Sequence, residues 1–230
     1  MICQDNFRTN FRKRWKILIT TVIFDLDGTL LDTLDDIRDS VNRTLTQFGF
    51  PSRTREEIRR FVGNGAVKLL ERALPHPVDA QTFQAFYTAY DRDYTAHRCD
   101  KTAPYAGVLP MLQMLRDRGI RTAVLSNKQD NVVRPLCESF FPQLLDLATG
   151  PADGRAVKPA PDGILYIADT LHVPLSDILY VGDSETDVQT GRNAGVRTIA
   201  VLWGFRDRDT LTQAGAVRFA ETPEEILRFI

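Results

Sequence analysis

The sequence predicts an α/β protein: a doubly wound, mostly parallel sheet with an inserted bundle of four helices. Three observations carry this expectation. An apolar run over residues 17–24, broken only by Thr20 and Thr21, leads directly into Asp25-Leu26-Asp27-Gly28-Thr29, as a buried parallel strand ending in a tight loop would. From residue 104 onward, short apolar strands alternate with amphipathic helices, the pattern of a doubly wound sheet. Between these two parts, residues 33–102 carry four helical patterns and no strand.

The helical insert can be read element by element. Leu34, Ile37, Val41, Leu45 and Phe48 recur at helical spacing, and Gly49 stops that helix. Thr54 with Glu57 three residues on suits a capping box, opening a short helix through Ile58, Phe61 and Val62 to Gly63. A third helix covers about 66–74, where Pro75 and Pro77 break it. A fourth, about 79–97, puts Phe83, Phe86, Tyr87, Tyr90 and Tyr94 on a common side, read as bundle core rather than as a ligand box.

The second half is expected to run helix 108–118, strand 121–125, helix 129–140, strand 145–148, helix 162–171 and strand 178–181. Helix 185–194, strand 197–202, helix 208–214, strand 217–219 and helix 223–229 then close the chain. The first strand must join this sheet across the insert. That divides the chain into a core of 17–32 with 103–230 and an inserted domain of 33–102, hinged near Asp32-Thr33 and Thr102-Ala103.

Composition narrows the functional classes. A length of 230 residues with 43% apolar content suits one large domain or a domain with an insert, and a formal charge of -1 gives no support for nucleic-acid binding. Cys3, Cys99 and Cys137 are odd in number and lack metal-ligand spacing, which argues against a disulfide framework or zinc site and for a cytoplasmic protein. His76, His97 and His172 are scattered and read as surface or local structural residues. Residues 1–16 are basic, with Arg8, Arg12, Lys13, Arg14 and Lys16 against Asp5, and lack the apolar run of a signal peptide. They read as a disordered extension or an over-extended start rather than a basic arm, and nothing offers the ~20 apolar residues of a membrane helix. Oligomeric state is not legible.

The chemistry gathers at strand ends. Alternate residues of an extended chain point the same way, so Asp25 and Asp27 converge on one small volume while Gly28 permits the turn. Burying such a pair costs several kcal/mol, roughly, unless a cation or donors compensate, and a divalent metal is the natural partner. Asp-Gly is also common at plain strand-to-turn junctions. Three further exit loops carry polar groups: Ser126 with Asn127, Lys158, and Asp183 with Asp187. Ligands of such sheets bind at this edge.

The order Asp-Leu-Asp-Gly-Thr, Leu-Ser-Asn, Val-Lys-Pro, Gly-Asp-Ser-Glu-Thr-Asp resembles the four motifs of the haloacid dehalogenase-like superfamily of phosphohydrolases, from residue 22 to the C-terminus. The insert looks like that superfamily's helical cap on a Rossmann-like core. Within it, Arg60-Phe61-Val62-Gly63-Asn64-Gly65-Ala66 followed by Glu71-Arg72-Ala73-Leu74 is similar to the phosphoglycolate phosphatase branch.

The resemblance implies a Mg²⁺-dependent phosphatase of a small phosphate ester, 2-phosphoglycolate foremost. Its chemistry suits these residue types. A carboxylate attacks a phosphate ester only with cations and donors around the phosphoryl oxygens, and a second carboxyl must move a proton to and from the leaving oxygen. Asp25 would be the nucleophile that forms an aspartyl-phosphate, Asp27 the general acid and base, and Lys158 the charge that holds the phosphate and Asp25. By resemblance, Mg²⁺ would be held by the Asp25 side chain, the Asp27 backbone carbonyl and the Asp183 side chain, a set of hard oxygen ligands. Ser126 would bind phosphate through its hydroxyl, assisted by backbone N–H groups near Leu26 and Asn127. Asp187 would bind metal waters or orient its loop. Glu185 reads as an ordinary acid at a helix N-terminus. Gly63-Asn64-Gly65 would be the tip of the cap that reaches the substrate when it closes.

Alternatives differ in specific residues. Dehalogenases and phosphonate-cleaving relatives lack a carboxylate at Asp27. A β-phosphoglucomutase-like transferase typically has an acid in place of Gly182. A pyrophosphatase or nucleotidase with the same cap remains open. A phosphate-sensing binding module should have lost one of Asp25, Asp27, Lys158 or Asp183, and all four are present.

Overall fold

The computed structural model describes residues 18–152 and 154–230. The basic extension expected at 1–16 lies outside the described residues.

Strand β1 (Thr21–Phe24) is wholly buried and lies in the middle of the sheet. Two-residue strands β2 (Leu31–Asp32) and β3 (Ala103–Pro104) follow in the chain, then β4 (Arg121–Leu125), β5 (Leu147–Thr149), β6 (Ile178–Gly182), β7 (Arg197–Val201) and β8 (Phe219–Ala220). The main sheet has the order β5-β4-β1-β6-β7-β8, and every neighbouring pair runs parallel. Because β1 is flanked by β4 on one side and β6 on the other, the carboxyl ends of all three open on one crevice.

Alternation along β1 divides the core. Val22 and Phe24 face a large cluster that includes Val108, Met111, Leu112 and Leu115 of helix α5 (Val108–Asp117), numbered after the four insert helices. Ile23 faces the other side, packed with Ile164 and Ile167 of α7 (Asp162–Thr170) and with Tyr180 of β6. Helices α6 (Asp130–Phe140), α8 (Glu185–Ala194) and α9 (Arg208–Gln213) complete the two layers.

The insert folds as α1 (Leu34–Gln47), α2 (Arg55–Phe61), α3 (Gly65–Ala73) and α4 (Ala80–His97). The capping box at Thr54 is present: Thr54 Oγ1 accepts from Glu57 N–H at 3.2 Å, and Thr54 N–H donates to Glu57 Oε2 at 2.7 Å. Phe86 is fully buried and meets Phe48 edge-on at 5.3 Å. Insert residues Leu34, Ile37, Ile58 and Leu70 belong to the same apolar cluster as Val22 and Phe24, so the two units share a core.

Antiparallel pairing of β2 with β3 closes the crossing between sheet and insert, where the sequence suggests only hinges. Asp36 of α1, 2% exposed, accepts from the backbone N–H groups of Lys101 and Thr102 at 2.8–3.0 Å, fixing the returning chain. Three expectations near the sheet edges need correction. Strand 145–148 lies instead at Leu147–Thr149, because Asp146 is held outside it by Thr122, and strand 217–219 becomes Phe219–Ala220. Val217 is 82% exposed, so its apolar character marks no buried strand. Pro223–Phe229 is a 3₁₀ helix rather than an α-helix.

Phe86→Ala is expected to destabilise the protein by about 3–5 kcal/mol, the usual cost of emptying a packed phenylalanine site. Urea unfolding measures it, and a loss below about 1 kcal/mol would mean that the insert core can collapse around the gap.

Candidate active site

The apolar strands deliver their polar exit residues to one place. Asp25 follows β1, and its backbone N–H bonds to Val181 O at 2.8 Å, tying the loop to β6. Asp183 follows β6 and is 1% exposed. Gly28 turns with φ +85°, and a Cβ there would lie 2.2 Å from Asp183 Oδ2, so only glycine lets the first loop lie against the fourth.

Lys158 is the hub. Its Nζ lies 2.8 Å from Asp25 Oδ1 and 2.7 Å from Asp187 Oδ1, and all three side chains are buried. Burial disfavours the ammonium, but Asp187 and Asp25 outweigh it and hold the Lys158 pKa above the ordinary lysine value. Asp187 is saturated. Its Oδ1 also accepts from Tyr180 Oη at 2.6 Å, and its Oδ2 accepts from Ser184 Oγ at 2.6 Å and Ser184 N–H at 3.1 Å. Burial raises the Asp187 carboxyl, and Lys158 with these donors overcomes that and brings it below the usual range.

Asp25 and Asp183 are less satisfied. Burial, then the neighbouring acids, pushes the Asp25 carboxyl well above its ordinary value despite Lys158. Burial and Asp187 push Asp183 up to about 7. Asp183 Oδ2 accepts from Phe205 N–H at 2.7 Å and Oδ1 from Thr29 Oγ1 at 3.3 Å, while Asp25 Oδ2 has no hydrogen-bond partner among the described residues. Carboxylate oxygens of Asp25, Asp183 and Asp187 lie within 4.8 Å of one another. Crowded, buried, hard oxygen donors fit a divalent cation, which removes their repulsion. With Asp187 committed to Lys158, Tyr180 and Ser184, the two carboxyls with raised pKa values, Asp25 and Asp183, are left to meet it.

Asp27 points elsewhere: Oδ1 accepts from Thr33 Oγ1 at 2.6 Å and lies 3.0 Å from Lys128 Nζ. Its side chain stands apart from the three-carboxylate cluster, which leaves the backbone carbonyl as the part of Asp27 open to the role the resemblance implies. The side chain of Leu26 is fully buried in the core. Ser126 is 3% exposed, and its Oγ accepts from Lys128 N–H at 3.1 Å, leaving its hydroxyl proton free to donate. The Asn127 side chain bridges the loops, donating to Lys158 O at 3.0 Å and accepting from Lys158 N–H at 2.9 Å.

The insert closes over this edge. The Gly63-Asn64-Gly65 tip reaches the core, where Asn64 Nδ2 donates to Thr186 Oγ1 at 2.9 Å and Gly63 O accepts from Asn127 Nδ2 at 3.3 Å. A cavity of about 70 Å³ remains, bordered by Asp25, Asp27, Ser126, Lys128, Lys158 and Asp183 from below and by Gly63, Gly65, Leu69, Tyr90 and Tyr94 from above.

Two readings of the sequence hold and are extended here. Tyr90 and Tyr94, expected as bundle core, stack at 5.6 Å and also wall the cavity; Tyr94 Oη accepts from Lys128 Nζ. The C-terminal half of α4 borders the crevice, where Tyr90, Asp91 and Tyr94 line it. Glu185, read as a plain acid at a helix start, pairs with Arg206 Nε at 2.8 Å.

Arg206 itself escaped the sequence reading. It sits on the loop after β7 and donates to the carbonyls of Arg59 at 2.6 Å and Val62 at 2.7 Å, at the C-terminal end of α2. In return, Arg59 donates to Phe205 O at 2.9 Å. Lys128 was passed over too. Its signal was its position directly after Ser126-Asn127 in the second exit loop.

The fold and site together define a hydrolase-type centre: an α/β sheet edge with a carboxylate–lysine cluster under a helical cap. The haloacid dehalogenase-like hydrolase family model matches residues 22–201, and the chain belongs to this family. It is similar to the phosphoglycolate phosphatase of Pseudomonas savastanoi pv. phaseolicola, 34% identical over 198 residues, covering 80% of this chain and 70% of that protein. The phosphoglycolate phosphatase of Xanthomonas campestris pv. campestris strain 8004 is 32% identical over 206 residues, covering 88% of this chain and 93% of that protein. A crystal structure from Lactobacillus delbrueckii subsp. bulgaricus superposes with a TM-score of 0.87 at 33% identity, over 93% of this chain and 98% of the other.

Charge-assisted hydrogen bonds such as those of Arg206 are each worth about 1.5–3 kcal/mol. Arg206→Ala is therefore expected to speed amide exchange across 59–65 by about tenfold or more and to raise KM by a similar factor. Unchanged exchange in that segment would show that Arg206 does not hold the cap.

Proposed function

We propose that the protein is a Mg²⁺-dependent phosphomonoesterase of the cytoplasm, acting on 2-phosphoglycolate through an aspartyl-phosphate. The observation that carries this reading is Asp25: one oxygen held by Lys158 at 2.8 Å, the other without a partner among the described residues, at the edge where ligands of such sheets bind. Names of the relatives support the substrate. Free thiols at Cys99 and Cys137 support the location, and no helix among the described residues is long and apolar enough to cross a membrane.

In this mechanism Asp25 Oδ2 attacks phosphorus while Lys158 and the Ser126 hydroxyl hold phosphoryl oxygens, with backbone N–H groups of Leu26 and Asn127 beside them. Asp25, the Asp27 carbonyl and Asp183 would hold Mg²⁺, which would supply positive charge to offset that of the transferring group. Asp27 gives a proton to the leaving oxygen and later takes one from the water that cleaves the aspartyl-phosphate. Asp187 keeps Lys158 aimed at Asp25. The closed cap keeps other water out.

A transferase reading is disfavoured by Gly182. A Cβ there would lie 2.4 Å from Asp187 Cβ, so the acid that reading calls for does not fit beside Asp187 as packed.

The test is kcat/KM for 2-phosphoglycolate against sugar phosphates, nucleoside monophosphates and pyrophosphate, with Mg²⁺ and with EDTA. The expected preference is about a hundredfold or more, ~2.7 kcal/mol in the transition state, lost on chelation. Asp25→Asn should remove turnover, and beryllium fluoride should form its adduct on Asp25. A flat profile would discard the substrate and keep the chemistry; no metal-dependent turnover of any phosphomonoester would favour a phosphate-binding module.

A further inference from the structure

Among the described residues, three cations border the cavity: Lys158, Arg206 and Lys128. Lys158 is held between Asp25 and Asp187. Arg206 is bound on Nε by Glu185 and on its terminal nitrogens by cap carbonyls. Lys158 is thereby committed to the two carboxylates and, in the proposed mechanism, to the phosphoryl group, and Arg206 is committed to the cap.

Lys128 differs. Its side chain is 10% exposed, its Nζ sits 4.4 Å from the centroid of the Tyr94 ring, and it bonds the Tyr94 hydroxyl. Its carboxylate neighbour is Asp27, whose Oδ1 already accepts from Thr33. An ammonium has three protons, and among the described residues only these two partners meet it. Burying a cation costs several kcal/mol, roughly, when its pairing is incomplete. The cavity it borders is lined in part by Val62, Leu69, Tyr90, Tyr94 and Val132, with Asp91 the acidic residue among the lining groups of α4, and an anion brought against that apolar surface is attracted to Lys128 more strongly than in open water. Ring and hydroxyl fix the long side chain in place before any ligand arrives.

Position decides which anion. Asp27 is the group assigned to the leaving oxygen, and Lys128 Nζ lies 3.0 Å from its Oδ1. A carboxylate one carbon beyond the ester oxygen meets Lys128 while that oxygen stays against Asp27. The stacked Tyr90–Tyr94 pair lines the same cavity and favours a short spacer, and an uncharged leaving group leaves the ammonium with only its two protein partners. Resting on the phosphomonoesterase reading, we propose that Lys128 is the specificity residue of this enzyme, receiving the carboxylate of a short acidic leaving group against the Tyr94 ring.

The test compares pairs of esters that differ in the carboxylate alone: 2-phosphoglycolate with 2-hydroxyethyl phosphate, and 3-phosphopropionate with 3-hydroxypropyl phosphate. Wild type is expected to prefer 2-phosphoglycolate over its neutral partner by about a hundredfold. In Lys128→Met that ratio should fall to about tenfold or less, chiefly through KM for the acidic ester, with Lys128→Arg recovering part of it. Lys128→Gln, checked for folding by circular dichroism, serves if the methionine variant does not fold. A ratio unchanged in the variant, or equal losses on both esters, overturns the inference, since Lys128 then serves Asp27 or the fold. A wild type indifferent to the carboxylate in both pairs also overturns it and leaves the phosphatase chemistry intact. A wild type that prefers 3-phosphopropionate, with the preference lost in Lys128→Met, keeps the role of Lys128 and rejects 2-phosphoglycolate as substrate.

Discussion

One ammonium makes this active-site edge possible. Lys158 stands between Asp25 and Asp187, and without it the sheet would end in a knot of repelling, desolvated acids. Its two partners are treated unequally. Asp187 is filled by donors from Tyr180 and Ser184, which turns it into a rigid mount. Asp25 keeps one oxygen open. The same arrangement therefore stabilises the loops and leaves an Asp25 oxygen without a hydrogen-bond partner among the described residues, at the border of the crevice.

Much of this was legible in the sequence because the signals were local. A buried parallel strand needs continuous apolar residues, so Val22, Ile23 and Phe24 announce β1, and the acids that follow cannot belong to a core. Helix 185–194 carries its own stop and start, and its bounds match the structure. What was illegible depended on partners distant in the chain. Glu185 looks like any acid in a first helical turn until Arg206 arrives from the loop after β7. Tyr94 has the spacing of a core residue, and only Lys128, arriving from the second exit loop, gives it a second role at the wall of the cavity. The bounds of the short edge strand shift for the opposite reason, since Phe219–Ala220 is defined by its neighbour more than by its own two residues.

The insert and the sheet are not separate bodies joined by a thread. Leu34, Ile37 and Ile58 share an apolar cluster with the strands, and polar contacts at Asn64 and Arg206 add a second attachment at the far end of the cap. The first attachment is non-directional and tolerates sliding; the second is directional and breaks sharply. That combination permits a cap that pivots on a greasy base and releases at its tip.

The pairing of β2 with β3 has a separate consequence for the gene. Leu31 lies opposite Pro104 and Asp32 opposite Ala103, so the chain leaves and re-enters the core at neighbouring points. Everything between them is, topologically, an enlarged hairpin loop, and loop length adds to closure entropy only logarithmically. Evolution can therefore lengthen, shorten or exchange that segment without renegotiating the register of the sheet. The carboxylates at the sheet edge and the insert that covers them are separately editable.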